Sequence, residues 1–140
     1  MGKVLPILAG VLVLGAAWAA FAEGAVGAST GVYSPAQAER GAALYTTNCA
    51  RCHGTAMEGV DVAPPLSGPR FTGNWAGQTV GALASRIRTT MPDDAIGSLG
   101  LSDSADITVA ILAANGYPAG KTDLPATTAA LNAVTLDAVR

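Results

Sequence analysis

Small and apolar residues return at helical spacing in three stretches of the chain, each opened or closed by a helix-boundary signal. Ser34 followed by Pro35, with Gln37 three residues after the serine, reads as a capping box opening a helix with Ala38, Gly41, Ala42 and Tyr45 on one narrow face. Gly41 would let a second helix approach closely. A shorter helix is predicted from about Thr79 to Thr90, with Val80, Leu83, Ala84 and Ile87 on one side and Arg86 and Arg88 off it. Met91-Pro92 ends it, because the residue before a proline avoids the helical region. The third helix starts at Ser102 as cap, with Asp103 and Asp106 near its positive end, and repeats Ile107, Ala110, Ile111 and Ala114. Asn115-Gly116 followed by Pro118 stops it.

Between these helices the pattern breaks. Residues 54–78 carry Gly54, Gly59, Pro64, Pro65, Gly68, Pro69, Gly73 and Gly77, a density that predicts a long loop wrapped around something. Asp93 to Leu101 forms a second glycine-bearing loop. Glu23 to Tyr33, rich in Gly, Ala and Ser, reads as a flexible, poorly ordered tether, and the tail from Lys121 to Arg140 as a weak helix over Thr127 to Val139. No alternating run argues for strands, so the fold class is all-α.

The first residues differ from everything after them. Lys3 is the only charge before Glu23, and Val4 to Ala20 runs without a charged side chain. With Ala20-Phe21-Ala22 as a small-x-small cleavage pattern, residues 1–22 read as a secretory signal peptide. The alternative is a retained membrane anchor. The chain then divides into residues 1–22 (signal), 23–33 (tether), 34–120 (the folded domain) and 121–140 (tail). Only 13% of the 140 residues are charged; the net charge of −2 becomes −3 once Lys3 leaves with the signal. No basic patch for nucleic acid exists. After the signal the aromatic residues are only Tyr33, Tyr45, Phe71, Trp75 and Tyr117, so a metal, disulfide or cofactor is expected to help fill the core.

Cys49-Ala50-Arg51-Cys52-His53 says which: two thiols three residues apart, followed at once by an imidazole, form the c-type haem attachment pattern. The thiols at this spacing reach the two vinyl groups of one haem, and His53 lies under the iron. A Cys49–Cys52 disulfide would leave His53 and the long loop unexplained. A zinc site would need four ligands, from two cysteines and one histidine in total. Because His53 is the single histidine, the opposite iron face is left to Met, Lys, Tyr, water or nothing. Met57 follows His53 too closely to cross the macrocycle. Met91 lies beyond the loop and a helix and is the expected ligand. A neutral thioether favours Fe(II), which raises the reduction potential.

These residues resemble the class I cytochromes c. The resemblance runs from Gly41 to Gly120 through Gly41 and Tyr45, Cys49-Ala-Arg-Cys52-His53-Gly54, Pro64-Pro65-Leu66-x-Gly68, Thr89-Thr90-Met91-Pro92 and Asn115-Gly116-Tyr117-Pro118. It implies a small bundle of three to five helices wrapped around one covalently attached haem c. First and last helices would cross closely, Gly41 and Tyr45 meeting the face of Ile107, Ile111 and Tyr117. It also implies that a carbonyl of Pro64 or Pro65 accepts a hydrogen bond from the free ring nitrogen of His53, and that Trp75 and Arg86 or Arg88 bond the propionates. With a single lysine after the signal, the chain lacks the lysine ring of mitochondrial members and is expected to meet its partners through a more apolar contact. The stretch Ala114 to Pro125 is similar to bacterial cytochromes that accompany periplasmic quinoprotein dehydrogenases.

The resulting expectation is a periplasmic one-electron carrier, not an enzyme, between a donor dehydrogenase or quinol oxidoreductase and a terminal acceptor, oxidase or reductase. The alternative is a haem-bearing electron-entry subunit of a periplasmic dehydrogenase or oxidase complex, held by the tether or the tail. An open iron face would make a haem enzyme or gas sensor, but no second histidine supplies a distal acid–base group. Membrane association is expected only if residues 1–22 stay as an anchor.

Overall fold

The computed structural model describes residues 24–61 and 63–139; the expected signal peptide lies outside them. Six α-helices and one two-stranded pair make up the architecture among the described residues, so the all-α class holds with one helix more than expected.

Helix α1 (Pro35–Asn48) begins where the cap signal puts it, with the Gln37 N–H donating to Ser34 Oγ at 3.1 Å. Only this half of the capping box forms. The Gln37 carboxamide instead reaches across the domain, where Nε2 donates to Asp106 Oδ1 (2.9 Å) and to the Leu124 carbonyl (3.0 Å) while Oε1 accepts the Leu124 N–H (2.7 Å). Gln37 is therefore buried and Ala42, expected on the inner face, is exposed. Its partner is the last long helix, running Leu101–Ala114, and the two cross so closely that a Cβ on Gly41 would lie 1.8 Å from the Asp106 carbonyl oxygen.

Four further helices complete the set: α2 (Ala50–His53), α3 (Gly68–Trp75), α4 (Val80–Thr90) and, after α5 (Leu101–Ala114), α6 (Thr128–Asn132). Helix α4 matches its sequence pattern, with Thr79 Oγ1 accepting the Ala82 N–H and Val80, Leu83, Ala84 and Ile87 all buried. The loop predicted over 54–78 contains α3: Pro69 sits in the first turn, where its missing N–H costs nothing, so a residue read as a breaker is a helix start. Helix α5 starts at Leu101 behind Gly100 rather than at Ser102. All of Ser104 to Leu112 is buried and Ala114 is exposed, because α1, α4 and the tail cover α5 on several sides where one inner face was expected.

The two terminal segments depart furthest from expectation. The supposed tether carries β1 (Val26–Gly27), which pairs in parallel with β2 (Val134–Thr135), and buries Ala28 and Tyr33. In the tail, the weak helix shrinks to α6, followed by β2, and Leu124, Leu131, Val134 and Leu136 enter the core. Tyr117, expected beside Gly41 and Tyr45, belongs to this terminal cluster too: Tyr33 Oη donates to its carbonyl and its own Oη donates to the Asp137 carbonyl. Residues 24–33 and 121–139 are thus parts of the folded domain.

A second cluster lies on the other side of α5. Tyr45, Met57, Phe71, Leu83, Ile87, Leu99, Ile107, Ala110 and Ile111 form it, with Cys49, Leu66, Trp75 and Met91 partly buried along its edge.

Candidate haem-attachment site

The site grows from a chain reversal. Helix α1 closes with the Cys49 N–H donating to the Tyr45 carbonyl (2.8 Å), and the single turn of α2 follows at once, the His53 N–H donating to the Cys49 carbonyl at 2.9 Å. This turn puts Cys49, Cys52 and His53 within one helical repeat, and both thiols are free. Burial, helped by Cys52, pushes the Cys49 thiol up to about 11, whereas Cys52 is exposed. Gly54 ends the turn at φ +84°, a conformation that favours glycine, and a Cβ there would run into the Glu58 carboxylate. Tyr45 Oη donates to the Gly54 carbonyl at 2.6 Å, tying α1 to the residue after His53.

His53 is buried and its orientation is fixed by one bond: Nδ1 lies 2.8 Å from the carbonyl oxygen of Pro64. A carbonyl only accepts, so Nδ1 carries a proton, and in the neutral imidazole the lone pair is then on Nε2. The choice left open between Pro64 and Pro65 falls on Pro64. The loop holding that carbonyl is itself bonded: the Gly59 N–H donates to the His53 carbonyl (2.7 Å) and the Leu66 N–H to the Met57 carbonyl (2.9 Å). Asn115 closes it from α5, Nδ2 donating to the Leu66 carbonyl (2.9 Å) and Oδ1 accepting the Gly68 N–H (3.0 Å). In the sequence Asn115 reads only as a helix stop; nothing local announces that it reaches residues far upstream.

Met91 leaves α4 with extended backbone (φ −130°, ψ 155°), half-buried against the cluster that also receives Cys49 and Leu66. Each tyrosine hydroxyl donates to a backbone carbonyl, Lys121 is exposed, and Met57, buried at φ +62°, is bonded through its backbone to the His53 side of the loop. Arg51, between the two cysteines, pairs with Asp94 and so links the cysteine turn to the loop after Met91. That guanidinium holds the Asp94 carboxyl below the usual carboxylate range. An open groove of about 710 Å³ borders Arg88, Ile96, Leu99 and Gly100, and another of about 210 Å³ lies between Asn48, Arg51 and Pro92. Trp75 stacks obliquely on Phe71 (centroids 6.2 Å apart) between the two clusters, while Arg86 and Arg88 point off α4 into solvent.

The donor set fits a haem c: two free thiols on one turn, a histidine with Nδ1 held by Pro64 and Nε2 available, and a thioether at the edge of the cluster that also receives Cys49. Among the described residues no group of three or more His, Cys, Asp and Glu is placed to hold a metal ion, as a zinc site would require.

Comparison with known proteins agrees. Residues 36–108 match the family model for cytochrome c oxidase, cbb3-type, subunit III. Among solved structures the chain is similar to the sulfane dehydrogenase SoxCD from Paracoccus pantotrophus, with a TM-score of 0.52 and 23% identity over 94% of this chain and 68% of that one. That likeness is one of fold. No curated protein matches the chain in sequence. The family match spans half of the chain and takes in Cys49, Cys52, His53 and Met91, so the chain belongs to this cytochrome c family and is a monohaem c-type cytochrome.

Proposed function

We propose that this cytochrome carries one electron at a time in the periplasm, on a haem c joined by thioethers to Cys49 and Cys52, with His53 and Met91 as the axial ligands. The observation that carries the reading is the His53 Nδ1 bond to Pro64, which leaves Nε2 as the free donor of a cysteine–cysteine–histidine turn. When bound, haem c supplies the Fe(II)/Fe(III) couple. The chain does the rest. Pro64 fixes the tautomer and direction of the imidazole and strengthens it as a donor. Met91 offers a soft, neutral sulfur that favours the reduced state. Leu66, Phe71, Leu83, Ile87 and Ile107 exclude water, so less solvent has to reorganise when the charge changes. The match to a cytochrome c family model fits an electron carrier and not a catalyst.

Donor and acceptor are redox proteins, a dehydrogenase or quinol oxidoreductase on one side and a terminal oxidase or reductase on the other. The low charge of the chain favours a mostly apolar contact with them. A second reading is an electron-entry subunit of a larger complex. Its sequence motive, an uncommitted tail, falls away because that tail fills the core. The fold likeness to a chain of a sulfane dehydrogenase keeps it in view.

Visible spectra of the haem-loaded protein, oxidised and reduced, with and without carbon monoxide, test the ligand set. The expected result is a low-spin spectrum in both states that ignores carbon monoxide. Met91→Ala should bind the gas and show a lower potential; a wild-type reduced form that binds it readily, or a variant identical to wild type, overturns Met91 as ligand.

A further inference from the structure

We infer that Asn115 is a positioning residue for His53: through the Pro64–Gly68 segment it sets the strength of the Nδ1 hydrogen bond and with it the reduction potential. This rests on His53 as iron ligand, proposed above. The segment that carries the Pro64 carbonyl has an unusual weakness. Pro64 and Pro65 have no N–H groups, so neither can anchor itself by donating to neighbouring backbone. The carbonyl that meets His53 is therefore held by what grips its neighbours: before it, Ala63 exchanges two backbone bonds with Val60 (2.8 and 3.2 Å), and after it come the bonds of residues 66–68. On one side the Leu66 N–H donates to the Met57 carbonyl (2.9 Å) and Ser67 Oγ lies 3.2 Å from the same oxygen. On the other side there is Asn115. Its Nδ2 donates to the Leu66 carbonyl (2.9 Å) and back to the Ile111 carbonyl (2.8 Å), and its Oδ1 accepts the Gly68 N–H (3.0 Å).

Three bonds fix the carboxamide. Gly68 N–H can only donate and the Leu66 and Ile111 carbonyls can only accept, so the amide has one orientation that satisfies all of them. The Ile111 bond ties the side chain to its own helix, and α5 is the most deeply buried helix of the domain. Asn115 thus ties the position of the rigid core to the far end of a proline-rich loop whose own bonds lie on its other side. The consequence is chemical as well as mechanical. A short Nδ1–H···O=C bond gives the imidazole anionic character and favours Fe(III); a loop free to drift weakens it, and the potential rises.

The test uses the haem-loaded protein with Asn115→Leu, nearly isosteric, and Asn115→Ala. Two readouts are taken: the midpoint potential, and the exchange rate of the His53 Nδ1 proton by NMR in the reduced form. Both variants should raise the potential and speed that exchange roughly tenfold or more. Tyr117→Phe is the control: it removes the bond to the Asp137 carbonyl at the same end of the molecule and should lower stability while leaving both readouts unchanged. Wild-type values of potential and exchange in either folded Asn115 variant overturn the inference, as does an equal shift in Tyr117→Phe. If neither Asn115 variant folds, exchange in the wild type decides: a protected Gly68 amide opening in step with the His53 ring proton supports the coupling, and a fast, independent Gly68 amide refutes it. Failure of the proposed function looks different, since the wild type itself would then lack a low-spin c-type spectrum.

Discussion

The cluster around Leu131 and the cluster around Ile107 share helix α5 but finish their surfaces by opposite means. The first is closed by the chain itself. Ala28 and Tyr33 come from one terminal segment and Leu124, Leu131, Val134 and Leu136 from the other, and the Tyr33 and Tyr117 hydroxyls end on backbone carbonyls. The second is left with an edge. Cys49, Leu66, Trp75 and Met91 remain only partly buried along it, and neither strand reaches it. A domain of this size buries limited apolar surface. It uses its termini to make one side self-sufficient and leaves the other side for a group that is not protein.

The strongest way to break this contrast is to delete residues 121–140. The deletion removes Leu124, Leu131, Val134 and Leu136, each worth about 1.5–3 kcal/mol of burial, against a total stability of about 5–15 kcal/mol for a domain. We expect no cooperative thermal transition by circular dichroism; a sharp one would show that the domain folds without its tail. A finer cut compares one leucine from each cluster. Leu131→Ala should cost about 2–5 kcal/mol in chemical denaturation and leave the visible spectrum untouched, whereas Leu83→Ala should cost a similar amount and perturb the spectrum as well. Spectral change in both, or in neither, would erase the distinction.

The smallest effect is at Tyr45. Tyr45→Phe loses the bond to Gly54 and should cost about 1 kcal/mol. It should also alter the alkaline limb. Burial, then Cys49 and Glu58, pushes the folded Tyr45 phenol from 10.0 up to about 12. The unfolded chain releases this proton first, so stability is intact below pH 10 and falls as pH rises towards 12. Denaturation midpoints at pH 9 and pH 11 should converge more closely in the phenylalanine variant than in the wild type.

How much of this was legible in the sequence follows from how local each signal is. The cysteine–histidine turn is contiguous, and helices α1 and α4 announce themselves through Ser34 and Met91-Pro92 and through their spacing. Gly41 was legible too, because only a missing side chain admits a helix that close. Helix α3 was hidden because Gly68, Pro69 and Gly73 all count as breakers, although a proline in the first turn is a favourable start. Gln37, Asn115 and the strand pair were hidden for another reason: their partners lie far away in the chain, and a two-residue strand has no period to detect. The choice of Pro64 over Pro65 turns on the register of a loop that only the folded positions of Met57, Gly59 and Asn115 define.

The parallel pairing of Val26 with Val134 also sets a length of leash. Between the expected cleavage point after Ala22 and the first paired residue there are only Glu23, Gly24 and Ala25, which even fully extended span about 10 Å. A form that kept residues 1–22 in a bilayer would ride against the lipid headgroups at one height, unable to swing between distant partners. If the expected cleavage after Ala22 takes place, this cytochrome would diffuse between partners; if residues 1–22 stay as an anchor, it would serve as a relay held at the membrane.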